Sequence, residues 1–257
     1  MSCGTLRPSL LALVSPLVPE TTTRNERRKA RTVGSILAAA AELFHAKGLQ
    51  NTTVDEIAER ADVSVGSVYF HFRSKEALYL ELTERALDIN ERYMQRAERP
   101  DYSPLQRVLA AGDAYLAFHL EEPGAFRMIA LRVLEPAPGE DLREVEQRIA
   151  DRVERLVGAV EAQLEAALAA GEVRPLYAKL AMTFLWGAWN GVIALNLRQD
   201  RLRLSEPQLI ATLEAGRRLI LDTLATAATR RRLAPWLERN PVGRLDDGEG
   251  PPAAGEG

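Results

Sequence analysis

Residues 54–76 read Val-Asp-Glu-Ile-Ala-Glu-Arg-Ala-Asp-Val-Ser-Val-Gly-Ser-Val-Tyr-Phe-His-Phe-Arg-Ser-Lys-Glu, and this stretch decides the fold. Thr53 opens a short helix, and Glu56 three residues on completes a capping box, with Ile57 and Ala58 facing inward. The chain breaks at Ala61–Val63. Ser64 then caps a second short helix, Val65 to about Phe70, for which Val68 and the following Phe72 supply the core side. Two short helices joined by a turn of a few residues are the arrangement that puts one helix end into a DNA major groove.

Outward from this stretch the pattern stays helical. Thr32 to Lys47 places Val33, Ile36, Leu37, Ala40, Leu43 and Phe44 on one face, and Gly48 stops the helix. A basic arm, residues 24–31, leads into it. Ser74 caps a fourth helix from Lys75 to about Glu98, ending before Pro100. Ser103-Pro104 starts a helix that ends near His119, and Pro123 starts a shorter one to about Leu134. From Asp141 to Ala170, the residues Leu142, Val145, Ile149, Val153, Leu156, Val160, Leu164 and Ala167 recur at threes and fours, one apolar stripe of a long helix. Leu176 to Arg198 and Glu206 to Ala228 are two further apolar helices. No long alternating run marks a strand, so the fold class is all-α.

The domains follow. Residues 24–78 are a three-helix DNA-binding head of the helix-turn-helix kind, and residues 79–233 an all-helical body. Residues 1–23 are expected to be a disordered leader. Their apolar run, Leu10 to Val18, is broken by Pro16 and is too short to span a membrane. Residues 234–257, rich in Pro, Gly and acid, are expected to be a disordered tail.

Composition narrows the function classes. Aromatics are only 6% of 257 residues, with many Ala, Leu, Glu and Arg, which favours helices. The single cysteine, Cys3, rules out an internal disulfide framework and a Cys-based zinc site, and fits a reducing cytoplasm. Net charge is −3, unevenly spread. Residues 24–75 hold nine cations against six anions, +3; residues 1–23 are neutral, leaving −6 for residues 76–257. A basic head on an acidic body is the pattern expected when only the head meets phosphate. His45, His71 and His119 have no metal-ligand spacing, and no Gly-rich phosphate loop or Ser-centred elbow occurs. No catalytic residue, cofactor or metal is therefore expected, and the chain is read as not an enzyme.

The order of residue types resembles the DNA-binding head of the TetR/AcrR family of bacterial transcriptional regulators. Ile36, Ala40, Leu43-Phe44, Gly48, Thr52-Thr53, Ile57-Ala58, Ala61, Val63-Ser64, Gly66, Tyr69, Phe72 and Lys75-Glu76 fall where that pattern places such types. The resemblance is strong over roughly residues 30–78. It implies that Thr53, Gly66, Tyr69, His71 and Lys75 contact DNA. Two positions depart from the pattern: Val65 stands where a polar residue is often found, and Phe70 where some members carry a second tyrosine.

The residues themselves divide the work of such a head. Thr53 and Ser64 sit at helix N-termini, where free N–H groups meet phosphate, although both cap their helices with or without DNA. Val65, Gly66 and Ser67 begin the second helix of the pair and are the candidates for base readout: an apolar contact to a thymine methyl, a close backbone approach and a hydroxyl. Tyr69 and His71 carry donors suited to phosphate oxygen, and Lys75 adds a point charge.

For the body the resemblance implies a homodimer built on its last two helices and a small-molecule pocket. The run Trp186-Gly-Ala-Trp189-Asn190-Gly191 is similar to a tryptophan-and-glycine motif of many members, its Gly187, Ala188 and Gly191 allowing close helix approach. Pocket candidates are Tyr93, Tyr115, Phe118, His119, Phe126, Met128, Trp186, Trp189 and Asn190; core packing is the other reading of each. Their chemistry points to a hydrophobic or aromatic ligand. The expected function is a cytoplasmic, dimeric repressor that binds a palindromic operator in double-stranded DNA and is released by a small ligand. The alternative is a ligand-independent DNA-binding or chromosome-organising protein of the same fold. No membrane partner is expected.

Overall fold

Thr23 opens the first helix. Its hydroxyl accepts from the Glu26 amide at 3.3 Å, while the Glu26 carboxylate accepts from the Thr23 amide at 2.6 Å. This capping box starts α1 (Arg24–Lys47) eight residues ahead of Thr32, so the stretch read as an arm is the first two turns of a helix. The Arg, Lys and Ala there are good helix formers, and a capped start needs no core contact to extend them. Gly48 ends α1 at φ 80°, its amide donating to the Phe44 carbonyl.

The computed structural model describes residues 13, 23–130, 132, 135–136 and 139–243. After α1 come α2 (Val54–Arg60), α3 (Val65–His71), α4 (Lys75–Ala97), α5 (Pro104–Glu121), α6 (Pro123–Ala130), a 3₁₀ turn (Glu140–Leu142), α7 (Arg143–Ala169), α8 (Ala178–Asn196), α9 (Glu206–Leu224) and α10 (Ala227–Arg239). The only β pairing among the described residues is an isolated bridge between Val173 and Ala225. The all-α expectation holds.

Packing divides the chain into two units. The first is Met1–Asn90 with Glu121–Val153, the second Glu91–Leu120 with Glu154–Gly257. In the first, α1 buries Ile36, Leu37, Ala40 and Phe44 with Ile57 of α2, Val68 of α3 and Leu78, Tyr79 and Leu82 of α4. The Phe44 and Tyr79 rings meet edge-on at 5.6 Å, and the Tyr79 hydroxyl donates to the Met128 carbonyl at 3.3 Å. Burial pushes that hydroxyl's pKa up to about 12, so it stays a donor. Leu13 departs from the expected disordered leader: it is fully buried, and its carbonyl accepts from Arg85. Apart from Thr23, the rest of that leader lies outside the described residues.

The second unit has its core in Leu105, Val108 and Leu109 of α5, Leu164 and Ala167 of α7, Met182 of α8, Leu221 of α9, and Leu233, Trp236 and Leu237 of α10. The tenth helix is a correction. The tail expected from residue 234 is helical to Arg239, with Pro235 inside the helix. An internal proline costs about 3 kcal/mol. Burying Leu233, Trp236 and Leu237 returns about 1.5–3 kcal/mol for each side chain, so tertiary packing overrides the breaker. Residues 244–257 of the expected tail lie outside the described residues.

Candidate nucleic-acid interface

The presentation of α3 begins with the turn before it. Ala61 ends α2, and Asp62 takes φ 54°, the one positive value at a non-glycine among the described residues. The Val63 amide donates to the Ala58 carbonyl at 3.0 Å and the Asp62 amide to the Glu59 carbonyl at 3.2 Å. This Schellman arrangement satisfies the end of α2 and turns the chain sharply into Ser64. The Ser64 hydroxyl then accepts from the Ser67 amide at 3.1 Å, capping α3.

Val68 is the buried anchor of α3. With that side pinned to the core, Tyr69 is left 52% and Phe70 79% exposed. Gly66 is exposed as well, and a Cβ added there would find nothing nearer than the Ser64 hydroxyl at 3.9 Å, so this part of the helix faces open space. Val65, Ser67 and His71 are half-buried, the His71 ring edge-on to Phe70 at 5.0 Å. Phe72, expected in the core, is half-buried.

Thr53 is exposed at the N-terminus of α2. Its amide and hydroxyl both donate to a Glu56 carboxylate oxygen at 2.9 Å, and its hydroxyl accepts from the Glu56 amide at 3.3 Å. The Lys47 ammonium beside Glu56, with these Thr53 contacts, holds the Glu56 carboxyl down at about 2. The anion is therefore permanent near neutral pH and the cap does not loosen with mild acid.

Lys75 differs from its neighbours. Its ammonium donates to the carbonyls of Leu49 at 3.1 Å, Gln50 at 3.3 Å and Thr52 at 3.0 Å. Arg24, Arg27, Arg28 and Arg31 recur at i, i+3, i+4 and i+7 along α1 and are all exposed, and Arg73 is exposed in the link from α3 to α4. The helical spacing was readable once α1 was known to start at Arg24.

In the second unit an open cavity of about 360 Å³ is lined by Met94 and Ala97 of α4, Arg107 and Ala111 of α5, and Leu156 and Val160 of α7, among others. None of the nine pocket candidates lines it. Tyr115 donates to Asn190 at 2.8 Å, Trp189 to the Gly112 carbonyl at 3.0 Å, and His119 meets Asn196 at 3.0 Å. Burial pushes the Tyr115 hydroxyl up and the His119 imidazole down, the latter opposed by Asn196. The Tyr93 and Phe118 rings meet at 5.7 Å, tilted by 50°. Phe126 and Met128 belong to the first unit. These groups are polar or aromatic breaks in apolar helices, and such breaks are where helices bond to each other. The cavity's apolar walls, Met94, Ala97, Ala111, Leu156, Ala159 and Val160, are of types that nothing in the sequence separates from core, and its rim carries Glu98, Arg99, Arg107 and Gln163.

The faces of α8 and α9 are a third feature. Leu180 is 69% and Phe184 72% exposed, and Tyr177, Trp186 and Leu219 are exposed too. Tyr177, Leu180, Phe184, Gly187 and Gly191 follow helical spacing, and a Cβ at either glycine would meet nothing within 4 Å. An apolar stripe therefore runs unpacked along α8.

The model of the family described as bacterial regulatory proteins, tetR family, matches residues 36–82, and that of the tetracyclin repressor-like C-terminal domain matches residues 108–228. The transcriptional activator FasR of Mycolicibacterium smegmatis is 37% identical over 106 residues, 41% of this chain and 46% of that protein. The transcriptional regulator RutR of Escherichia coli K12 is 32% identical over 119 residues, 46% of this chain and 56% of that protein. The chain thus matches about half the length of these curated relatives. A tetR-family regulatory protein from Rhodococcus superposes with a TM-score of 0.62 at 24% identity, covering 80% of this chain and 100% of that one, a likeness of fold. Matched at its helix-turn-helix and again along its body, the chain belongs to the tetR family of bacterial regulatory proteins.

Proposed function

We propose that this protein is a homodimeric transcriptional regulator, a repressor that leaves its operator when a small apolar ligand binds. The carrying observation is α3. It is a capped helix anchored by Val68, and it holds Gly66, Tyr69 and Phe70 out to solvent, while the other exposed aromatics among the described residues, Tyr177, Phe184 and Trp186, lie along α8. Tyr69 and His71 donate to phosphates, Val65, Gly66 and Ser67 face the bases, and Thr53 and Ser64 bring two helix N-termini to the backbone. The work is binding, and no catalytic step is assigned.

The unpacked stripe of α8 with Leu219 of α9 supports dimerisation, which lets two heads read two half-sites of a palindrome. The cavity near α4 supports a ligand: about 360 Å³ lies in the range of small-molecule sites. Met94 and Ala97 line it, and the same helix begins at Lys75 in the head. A ligand that favours one placement of α4 then weakens DNA binding, and DNA weakens ligand by the same factor. Such a protein works in the bacterial cytoplasm, in keeping with the absence of any membrane-spanning helix among the described residues.

Fluorescence anisotropy with the DNA upstream of its own gene tests the reading, at several salt concentrations, for wild type and Tyr69→Ala. Binding that exceeds random DNA, weakens steeply with salt and drops in the variant supports it. Binding equal to random DNA and indifferent to Tyr69 would overturn it.

A further inference from the structure

Lys75 is the first residue of α4, yet its ammonium is engaged with a turn 23 to 26 residues earlier in the chain. An ammonium has three N–H donors and no acceptor. Here three carbonyls, those of Leu49, Gln50 and Thr52, lie at 3.0–3.3 Å, one for each donor. They belong to the turn that joins α1 to α2. Leu49 and Thr52 are buried, so their carbonyls have little access to water as a substitute partner. Within the turn, the Thr52 hydroxyl donates to the Gly48 carbonyl at 2.8 Å, its amide to the Leu49 carbonyl at 3.2 Å, and the Asn51 side-chain amide to the Lys47 carbonyl at 3.0 Å. The next residue is Thr53, which caps α2.

We infer that Lys75 is a positioning residue, which clamps the turn before α2 so that Thr53 and the α2 N-terminus are aimed at the DNA backbone, and that it does not itself contact a phosphate. This rests on the DNA-binding reading above. To reach a phosphate the ammonium would have to release all three carbonyls; Leu49 would keep the Thr52 amide and Gln50 is exposed, but the buried Thr52 carbonyl would be left to bear a desolvation penalty. The positive charge still serves the turn, because it sits where several carbonyl oxygens converge.

Two measurements separate the clamp from a phosphate contact. The first uses a duplex selected by the wild-type protein from a random library. Lys75→Met weakens binding by about tenfold or more while the slope of log K against log salt is unchanged, because no phosphate charge has been unpaired. Lys75→Arg, which keeps the charge but cannot converge three donors on three carbonyls, fails to restore affinity. Loss of a phosphate contact would instead reduce the slope by about 0.9 and leave Lys75→Arg close to wild type. That pattern, or a Lys75→Met protein with full affinity, overturns the proposal.

The second measurement needs no stable variant. In the free wild-type protein, nitrogen-15 spectra of the lysine ammonium groups show Lys75 exchanging with water much more slowly than the exposed Lys29, and duplex binding leaves its signal in place. An ammonium that exchanges as fast as Lys29, or that gains scalar coupling to phosphorus in the complex, refutes the clamp. If the wild type selects no duplex, the regulator reading fails on its own, while the free-protein spectrum still reports on the clamp.

Discussion

The Nη1 of Arg217 lies 3.0 Å and 2.9 Å from the two carboxylate oxygens of Asp113, and 3.0 Å from the Asn240 carbonyl. One nitrogen thus ties α5, α9 and the end of α10 together, and the guanidinium also sits over the Trp236 ring at 5.5 Å. Arg217 is wholly buried, and among the described residues its Nε and Nη2 have no hydrogen-bond partner. An ion pair so placed gives back in attraction much of what its desolvation costs.

Removing one partner should therefore hurt more than removing both. Asp113→Ala leaves a buried guanidinium uncompensated and is expected to lower stability by about 3–5 kcal/mol. Asp113→Leu combined with Arg217→Met should recover most of that loss. Urea denaturation of the three proteins gives the comparison; a double variant as unstable as the single one would contradict it.

The same pair sets a pH dependence. Burial raises the Asp113 carboxyl from 3.8 to about 7, against the pull of Arg217. A carboxyl raised on folding favours the protonated folded state. Its contribution is full below 3.8 and is lost as pH rises through about 7. Between those limits the wild type should lose stability relative to the double variant, which lacks the group. Melting temperatures from pH 4 to 7.5 check the sign.

Two glycines around Trp189 should behave oppositely. A Cβ at Gly112 would stand 3.1 Å from the indole, whose Nε1 donates to the Gly112 carbonyl, whereas a Cβ at Gly216 would find the ring at 3.5 Å, ordinary contact. Gly112→Ala should destabilise by about 1–3 kcal/mol through overpacking. Gly216→Ala should be neutral or stabilising by up to about 1 kcal/mol, the usual gain of alanine in a helix. Thermal unfolding decides, and equal effects would undo the argument.

In the head, Ser64→Ala removes the bond to the Ser67 amide. The expected cost is about 1 kcal/mol of stability, with weaker operator binding because α3 loses its fixed start. Anisotropy and a melting curve on the same sample measure both, and a variant unchanged in both would show the cap to be dispensable.

On the body, Leu180→Glu with Phe184→Glu puts charge on two side chains that are about 70% exposed. The variant should keep its helical circular dichroism and sediment as a monomer where the wild type sediments as a dimer. A dimer that survives both changes would place the interface elsewhere.

Features that depend on three or four neighbouring residues are legible in the chain's order alone. The caps Thr53, Ser64 and Ser74, the stop at Gly48, and the spacing that makes α2 and α3 a pair were all readable there, because a cap bonds its own helix within one turn. The helical body was legible in the same way, through apolar residues at threes and fours. Where the distant partners lie depends on how the helices pack. Lys75 bonds a turn some two dozen residues away, Asp113 pairs with a residue 104 positions along, and α10 runs through Pro235 because the core accepts Trp236. The cavity is the extreme case. Its apolar walls are of the same types as the core, and whether such a face meets another helix or leaves a gap is set by how whole helices pack.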